Sequence, residues 1–474
     1  MAASRKLRPS EGVADVAAAV ANRLDPWLRP GARVTVALSG GLDSVVLFDC
    51  LVRLREGRDL HLQAIHVDHG LSPHAGTWAA FCGKLCRARD VPLQVARVCV
   101  VCERGESLEA AARRERYAAF RRHVCGVLVL AHHLDDQAET LLLQLLRGAG
   151  PRGAGAMPFT REERRDEAVG PSLTIVRPLL GVSRSRLERY GRAAGLAWVE
   201  DESNVDLALD RNFLRARVLP LVEARFPGYR QVLARSADLF REASDLLDEL
   251  AALDGKGALR NGDLELEALR RLSEPRARNL LRWFLRRADA PAPTARRLGE
   301  ALRQILHARF DARVRIVFGD WELRRHAEYV QLHLVAPAAL AAVSWQGEPV
   351  LPAPGGMGEV HFLTTPGEGI ALKLIAGRRV ELGLRRGGER IRPDARRPRR
   401  TLKNLLQENR IEPWRRARLP MLFCEGALVW VPGIGIDCDW KVVGPGEAGI
   451  SPVWKLAAVK AGVREGRSLQ SRGQ

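Results

Sequence analysis

The chain lacks any long uninterrupted apolar run. No stretch of its 474 residues approaches the roughly 20 apolar residues that a helix needs to cross a bilayer. The first apolar stretch, from Val13 to Val20, is interrupted by Asp15 and reads as an amphipathic helix that leads into the first strand. It does not resemble a signal peptide, so a membrane-spanning or exported protein is not predicted and we expect a cytoplasmic one.

The sequence also lacks a clear cysteine framework for metal or disulfide bonding. With no export signal, its eight cysteines are expected to be reduced thiols. Cys99-Val100-Val101-Cys102 is a C-x-x-C pair, but no second pair completes a four-ligand metal site. The pair ends a strand-like apolar run that starts at Leu93, so we interpret both cysteines as structural residues of that strand.

Positive charge, by contrast, is abundant. The formal net charge is +19, and 46% of the residues are hydrophobic, which is enough to form buried cores. The segment from Arg378 to Arg418 contains 15 Arg or Lys and 5 Asp or Glu residues, an excess of +10. A basic segment of this density favours contact with phosphates, so nucleic acid is the first candidate partner.

Strands and helices alternate through the first 150 residues. Apolar strands that alternate with helices predict a parallel sheet covered on both faces, and ligands bind such sheets at the carboxyl ends of the strands. The predicted strands lie near 33–38, 61–67, 92–101 and 126–131, and the predicted helices near 44–55, 75–89, 107–123 and 135–147.

The rest of the chain has a different pattern. Residues 222–310 have helical periodicity, residues 309–334 read as short strands, and a segment rich in Ala, Pro and Gly precedes a final mixed module. The predicted class is α/β, with a parallel-sheet nucleotide-binding domain, a mostly helical middle domain and a small α+β C-terminal domain. The predicted boundaries are 1–221, 222–370 and 371–474.

The first chemical motif is a glycine turn between a strand and a helix. Its residues are Ser39, Gly40, Gly41, Leu42, Asp43 and Ser44. The glycines let backbone N–H groups approach an anion, the helix start adds free N–H groups, and the two serines can donate hydroxyl hydrogen bonds. Because residues 42 and 43 are Leu and Asp, the turn is not the lysine-containing nucleotide loop. A carboxylate beside phosphate suggests an intervening cation, so Asp43 is predicted to bind Mg²⁺.

The second motif, Ala131 to Thr140, places polar residues after the fourth predicted strand. With a helix beginning near Asp135, the side chains of His132, Asp136 and Glu139 are expected to lie together at its start. Two carboxylates on one face can bind a metal or a cationic ligand. Capping of the helix explains an acidic residue here equally well, but it does not explain the preceding histidine pair.

Several polar segments are ambiguous when taken alone. Arg113, Arg116 and Tyr117 share one side of the third helix, a pattern that is typical of a salt-bridged surface. Arg211 and Arg215 lie four residues apart on another predicted helix, where they could face phosphate. The acidic segment 200–204 has no clear assignment from its residues.

Together these motifs resemble the bacterial tRNA(Ile)-lysidine synthetases of the PP-loop ATP-pyrophosphatase superfamily. The glycine turn marks only the superfamily, whereas the motifs at 131–140 and 211–215 are more specific. The motifs that carry the resemblance are S-G-G-L-D-S at 39–44, H-V-D-H-G-L at 66–71, E-A-A-A-R-R-E-R-Y at 109–117, A-H-H-L-D-D-Q-A-E-T at 131–140, R-P-L-L at 177–180, D-E-S-N at 201–204, R-N-F-L-R at 211–215, and G-G-E-R, L-K-N-L-L-Q-E and V-P-G-I-G-I-D within 385–437.

The resemblance implies a two-step ligation on a tRNA with a CAU anticodon. ATP adenylates the C2 oxygen of the wobble cytidine and pyrophosphate leaves. The amine of L-lysine then displaces AMP to give lysidine, and the tRNA reads AUA in place of AUG. The resemblance is also compatible with a homodimer.

The same resemblance implies roles for individual residues. The 39–44 loop would bind the pyrophosphate of ATP, with Asp43 helping to bind Mg²⁺. The catalytic residues would be Asp43, His132, Asp136 and Glu139. Asp136 and Glu139 would pair with the lysine ammonium. The expected tRNA-binding residues are Arg113, Arg211 and Arg215, together with Arg390 and Lys403 in the basic last module.

Three other interpretations remain open from the sequence. A tRNA thiolase of the same superfamily would use the same adenylation with a sulfur donor, for which Cys99 and Cys102 are the candidate pair. A small-molecule adenylating ligase would not need the basic C-terminal module. A non-catalytic RNA-binding protein would not need Asp43, Asp136 and Glu139 intact.

Overall fold

A computed structural model gives the architecture of the chain. It forms two compact units, one up to Leu246 and one from Leu247 onward. The structure describes residues 11–56, 58–102, 106–163, 172–200, 202, 206–260, 262–288, 290–309, 312, 314–335, 342–354, 358–409, 411, 416 and 418–455.

A six-stranded sheet forms the centre of the first unit. Its strand order is β3-β2-β1-β4-β6-β5, and all neighbouring pairs are parallel except β5 with β6. The strands are β1 (Ala32–Ala37), β2 (Leu60–Asp68), β3 (Leu93–Arg97), β4 (Val127–Val129), β5 (Thr160–Glu163) and β6 (Leu173–Val176).

Helices surround this sheet and continue beyond it. They are α1 (Glu11–Leu24), α2 (Leu42–Arg55), α3 (Ala75–Ala88), α4 (Leu108–His123), α5 (Leu134–Leu146), α6 (Pro151–Ala154), α7 (Arg184–Ala193), α8 (Asp210–Phe213), α9 (Leu219–Arg225) and α10 (Tyr229–Asp254), and the boundary between the two units falls within α10.

Apolar residues on both faces of the strands explain why the sheet is buried. Val34 and Val36 belong to one core with α2 residues, whereas Leu128 and Ile175 belong to a second core with Phe120 of α4. Such two-sided burial is characteristic of parallel sheets, so the predicted fold class is confirmed. The parallel pairing of β1 with β4 places the loops that follow them at one edge of the sheet.

The prediction for the third strand is wrong at its end. The strand stops at Arg97, because the register partner of Arg97 is Asp68, the last residue of the neighbouring strand β2. At the edge of the sheet no other strand remains for the chain to pair with. Cys99 and Cys102 therefore follow the strand, and both are exposed rather than packed as structural residues.

The second unit combines helices with antiparallel sheets. Its sheet orders are β7-β8-β11-β10-β9, β12-β16-β19-β20-β21, β13-β14-β22-β15 and β17-β18. The helices are α11 (Leu266–Arg270), α12 (Glu274–Arg287), α13 (Ala295–His307), α14 (Leu372–Ile375) and α15 (Leu402–Glu408).

The strands of these sheets are short. They are β7 (Leu259–Arg260), β8 (Asp263–Glu265), β9 (Arg315–Phe318), β10 (Trp321–His326), β11 (Tyr329–Leu334), β12 (Val343–Trp345), β13 (Val350–Pro352), β14 (Glu359–Pro366), β15 (Ile370–Ala371), β16 (Val380–Gly383), β17 (Arg390–Ile391), β18 (Arg400–Thr401), β19 (Met421–Cys424), β20 (Ala427–Val431), β21 (Gly435–Ile436) and β22 (Ala448–Lys455). The predicted three-domain division stays a prediction.

Part of the basic charge of this unit has a structural role. Glu322 is 0% exposed and pairs with Arg315, Arg324 and Arg418 at 2.7–2.9 Å. Arg418 belongs to the strongly basic segment, so at least one of its cations compensates a buried carboxylate. A buried carboxylate requires such compensation because its desolvation is costly. In the described part of the chain, no helix is long and apolar enough to span a membrane.

Candidate active site

The glycine turn joins β1 to α2 and is fixed by its backbone. Gly40 has a φ of +93°, and a Cβ added there would lie 2.9 Å from a methyl carbon of Val199. Gly41 is the N-cap of α2 and has an ordinary φ of −73°. The chain therefore needs glycine at position 40 for conformation and space, and Gly41 leaves the helix start open to an anion.

The two serines of the turn bond to each other and to the turn itself. The Ser39 hydroxyl donates to Ser44 Oγ at 3.1 Å, and Ser44 Oγ donates to the Gly41 carbonyl at 2.9 Å. The Gly40 N–H donates to Ser44 Oγ at 3.2 Å. These bonds hold the turn in a compact form at the N-terminus of α2.

Asp43, in the first turn of α2, fits a cation. Its Oδ1 is buried and has no hydrogen-bond partner among the described residues. An orphaned carboxylate oxygen is costly to bury, and a bound cation would remove that cost. Mg²⁺ is commonly held by one or two carboxylates with phosphates and waters, so Asp43 suffices as a protein ligand. The described residues contain no group of three His, Cys, Asp or Glu side chains arranged to bind a metal by themselves.

His133 links the glycine turn to α5. Its Nε2 lies 3.5 Å from Asp43 Oδ2 and 3.5 Å from Asp136 Oδ2. His133 is also the N-cap of α5, since its Nδ1 accepts the Asp136 N–H while Asp136 accepts the His133 N–H. Burial opposes its charged form, but Asp136, Asp43 and Asp135 outweigh burial and raise the pKa of His133.

Sequence reasoning chose His132 and missed His133. The available signal was the position of His133 directly before the helix start, where a side chain can cap the helix and reach back over the sheet edge. His132 has a different environment. Desolvation by the surrounding protein lowers its pKa to about 3 despite the nearby Asp136, so the imidazole is neutral near pH 7.

Four of the predicted site residues form one charge cluster. Glu139, 1% exposed, accepts from Arg211 Nε at 2.7 Å and from Arg215 Nε at 2.7 Å. Arg211 also donates to Asp136 Oδ1 at 3.0 Å. Residues 214–218 form a π-helical turn that contains Arg215, an irregularity that is frequent at functional sites.

The charge cluster sets the state of Asp136. Burial acts to raise the pKa of Asp136, but His133, Arg211 and His132 outweigh it and lower the pKa to about 2. Asp136 is therefore ionised near pH 7. Both oxygens of Glu139, the other predicted lysine-binding carboxylate, already accept from guanidinium groups. The pairing of lysine with Asp136 and Glu139 stays a prediction.

A cavity of about 170 Å³ lies beside Glu139 in the first unit. Both charged and apolar side chains line it, which is an environment suited to a small zwitterion. It is lined by Asp135, Glu139, Arg184, Arg215, Leu219, Pro220, Glu223, Tyr229 and Arg230.

The remaining predicted contact residues lie elsewhere. Arg113 is exposed on α4, with its guanidinium 5.1 Å from the ring centre of Tyr117. Arg390 and Lys403 are exposed in the second unit, on β17 and α15. Of the acidic segment, Glu202 pairs with His74, whereas Asp201, Ser203 and Asn204 lie outside the described residues.

The two loop glycines provide a matched test. We expect Gly40→Ala to destabilise the first unit by about 1–3 kcal/mol, because alanine is strained at that φ and its methyl would press on Val199. We expect Gly41→Ala to change stability by no more than about 0.5 kcal/mol, since its nearest neighbour is at 3.7 Å. Thermal unfolding of both variants measures the difference, and equal midpoints would contradict this account of the turn.

The neutral His132 predicts a loss of stability in acid. Between about pH 6.5 and pH 3 the unfolded chain binds a proton at His132 that the folded chain does not. Because of this residue, the free energy of unfolding of the wild type should fall by up to about 1.4 kcal/mol for each pH unit between about pH 6.5 and pH 3.

The difference between the thermal midpoints at about pH 7 and about pH 5 should be smaller in His132→Asn than in the wild type. The exposed His61→Asn serves as the control and should leave the pH dependence unchanged. A wild-type pH dependence in His132→Asn would show that His132 protonates freely in the folded protein.

Comparison with known proteins covers most of the chain. Residues 14–222 match the PP-loop domain model, 264–331 the TilS substrate binding domain model and 380–454 the TilS substrate C-terminal domain model. The second and third models fall on the helix-and-sheet region and the basic region of the second unit, respectively.

Curated relatives match over nearly their whole length. The tRNA(Ile)-lysidine synthase of Nitrosomonas europaea is 43% identical over 457 residues, which cover 96% of this chain and 98% of the relative. The synthases of Azoarcus sp. and Coxiella burnetii are 44% and 37% identical, covering 90% and 84% of this chain and 93% and 88% of those proteins. Because it matches the PP-loop domain and both TilS domains, and is 43% identical to a curated relative over 96% of its length, the chain belongs to the tRNA(Ile)-lysidine synthase family.

Proposed function

We propose that the chain ligates L-lysine to the wobble cytidine of tRNA(Ile) with a CAU anticodon. In the first step the cytosine C2 oxygen attacks the α-phosphorus of ATP, an oxygen–phosphorus bond forms, and pyrophosphate leaves. In the second step the lysine amine attacks C2, the C2–oxygen bond breaks, and AMP leaves while the amine loses a proton. The product, lysidine, would make the tRNA read AUA in place of AUG.

The contact between the glycine turn and α5 carries this proposal. Asp43 and Asp136 both approach His133 at 3.5 Å, so the phosphate-binding segment and the carboxylate cluster form one site. Adenylation followed by attack of an amine needs both parts within reach of the same base. Family membership supports the choice of lysine and tRNA over other substrates of this fold.

The glycine turn would bind the departing pyrophosphate. Backbone N–H groups at the start of α2 and the hydroxyls of Ser39 and Ser44 are donors for phosphate oxygens, and Leu42 and Ser44 are buried beneath the turn. Neutralising the charge that accumulates on a leaving group is the main electrostatic contribution in such a transfer. Mg²⁺, held by Asp43, would supply further neutralisation at this point.

The carboxylate cluster would bind the lysine. Asp136 and Glu139 offer negative charge to an ammonium, and the cavity beside Glu139 can take an apolar side chain along Leu219 and Tyr229. Arg184 at the same cavity could pair with the lysine carboxylate. His132, being neutral, would act through hydrogen bonds to the base or the amine rather than as a cation.

Arginines would hold the tRNA. Arg211 and Arg215 already bond to carboxylates, but each guanidinium has five N–H donors and retains capacity for a phosphate or base. Arg113 would contact the anticodon loop, whose target base must be unstacked to enter the site. Arg390 and Lys403 would contact the tRNA from the basic second unit.

Lysine transfer to defined transcripts tests this function. With ATP and Mg²⁺, we expect labelled L-lysine to enter a tRNA(Ile) transcript and not the same transcript with wobble uridine. Asp43→Asn should reduce incorporation by about a hundredfold or more, as loss of one electrostatic group commonly does, whereas the exposed Asp59→Asn should not.

Absence of label from both transcripts would contradict the proposal and favour sulfur transfer, for which iron or labile sulfide in the purified protein should then be measured. Equal label in both transcripts would also contradict it, because the target would not be the wobble cytidine.

A further inference from the structure

Three arginines surround the buried ring of Tyr117 in the first unit. The guanidinium carbons of Arg113 and Arg161 lie 5.1 and 5.9 Å from the ring centre. Arg113 and Arg177 both donate to the Tyr117 hydroxyl at 3.4 Å. With Arg116, one residue before the tyrosine, they form what we call the Tyr117 arginine cluster: Arg113, Arg116, Arg161 and Arg177.

Arg177 is the buried member of the cluster. It is 1% exposed, and one of its terminal nitrogens donates to the Pro158 carbonyl at 2.8 Å. Its Nε, also buried, has no hydrogen-bond partner among the described residues. Desolvation by burial, and then the charges of Arg113 and Arg161, lower its pKa despite the help of Tyr117. A buried cationic donor without an acceptor is a place where an anion would be stabilising.

Arg116 also lacks a compensating anion. Its Nε donates to Nε2 of His69 at 3.2 Å. Desolvation, and then the charge of Arg116, lower the pKa of His69 to about 4, so the acceptor is neutral. Arg116 and Arg113 lie three residues apart on α4, so their like charges are neighbours on one side of the helix. Like charges placed side by side are unfavourable unless an anion joins them.

The described residues supply little negative charge to the cluster. Glu163 pairs with Arg161 at 2.7 Å and with Arg121 at 3.4 Å, so one carboxylate faces two arginines. Arg113, Arg116 and Arg177 form no ion pair with a described carboxylate. Within the part of the chain that the structure describes, the cluster therefore retains a positive excess.

We propose that the Tyr117 arginine cluster binds a backbone phosphate of the anticodon loop adjacent to the target cytidine. This inference rests on the proposed function and assigns Arg116 and Arg161 to RNA binding beside Arg113, while the buried Arg177 holds the Tyr117 hydroxyl and adds positive charge. The cluster acts as a fixed anchor: Tyr117 and Pro158 orient the guanidinium groups before the RNA arrives, so little side-chain entropy is lost on binding.

The position of the cluster fits an RNA phosphate at the active site. Val176 at the end of β6 pairs in parallel with Val129 at the end of β4, so Arg177 and His132 follow neighbouring strands at the same edge of the sheet. A phosphate held there would keep the flanking nucleotide in place while the unstacked base enters beside His132.

The phosphates of ATP are anions like those of the RNA backbone and could also bind arginines, but the structure offers them another site. The glycine turn after β1 has its own N–H donors and the unpartnered Asp43 oxygen for a cation. The cluster instead lies on α4, on β5 and directly after β6, and in the sheet order β5 and β6 are separated from β1 by β4. We therefore assign the cluster to the RNA backbone and not to the triphosphate.

Exposed members of the cluster allow a test that spares the fold. We expect Arg116→Gln and Arg161→Gln each to weaken binding of the tRNA(Ile) transcript several-fold and to lower the slope of log affinity against log salt by about 0.7 to 1. The control is Arg122→Gln, which removes an exposed arginine from the same helix α4 and should change neither quantity. The KM for ATP should stay the same in all three variants.

Methylphosphonate linkages, which carry no charge, can replace single phosphates of the anticodon loop and show which phosphate the cluster binds. At the linkage that the cluster binds, the substitution should weaken wild-type binding, and Arg161→Gln should then cause no further loss. Unchanged affinity and salt slope in both cluster variants would overturn the proposal, and a raised KM for ATP with unchanged RNA affinity would assign the cluster to ATP. Wild-type lysine transfer is scored separately, so failure of the proposed function would appear there and not in these binding data.

Discussion

The buried imidazole of His133, shared between Asp43 and Asp136, is the interaction on which the site depends. It joins the two loops that parallel pairing of β1 with β4 brings to one edge of the sheet. Despite burial, the three surrounding carboxylates raise its pKa. An N–H at Nε2 lies close to both Asp43 and Asp136 and lowers their mutual repulsion, while Nδ1 accepts the Asp136 N–H. Without it, Asp43 and Asp136 would repel, and the glycine turn and the start of α5 would be less firmly connected.

Charge is distributed unevenly around this bridge. On one side, Glu139 and Asp136 are compensated by Arg211 and Arg215, so their negative charge is held in place but not exposed. Counting only described residues, the Tyr117 arginine cluster carries a positive excess, and one oxygen of Asp43 at the start of α2 has no hydrogen-bond partner. A substrate set of a tRNA phosphate, an ATP–Mg²⁺ pair and a lysine zwitterion would complement each of these, since buried charges are stable only when paired.

Local patterns in the sequence predicted the parallel sheet, the glycine turn and the carboxylates of α5, because these depend on spacing within a few residues. The pairing of Glu139 with Arg211 and Arg215 joins residues more than 70 positions apart, and only the folded chain brings them together. His133 was missed because its neighbour carries the same side chain and only the capping geometry distinguishes them. Cys99 and Cys102 were misplaced because the end of β3 is set by the length of its partner strand, which apolar composition does not reveal.

The fate of the C2 oxygen tests the central claim most directly. A tRNA(Ile) transcript carrying heavy oxygen at C2 of the wobble cytidine can be incubated with the protein, ATP, Mg²⁺ and L-lysine, and the AMP examined by mass spectrometry. If the cytidine is adenylated and lysine displaces AMP, the heavy oxygen will appear in AMP. If the AMP is unlabelled while lysidine forms, ATP activates a group other than the C2 oxygen, and the account of the site as a cytidine-adenylating centre is wrong.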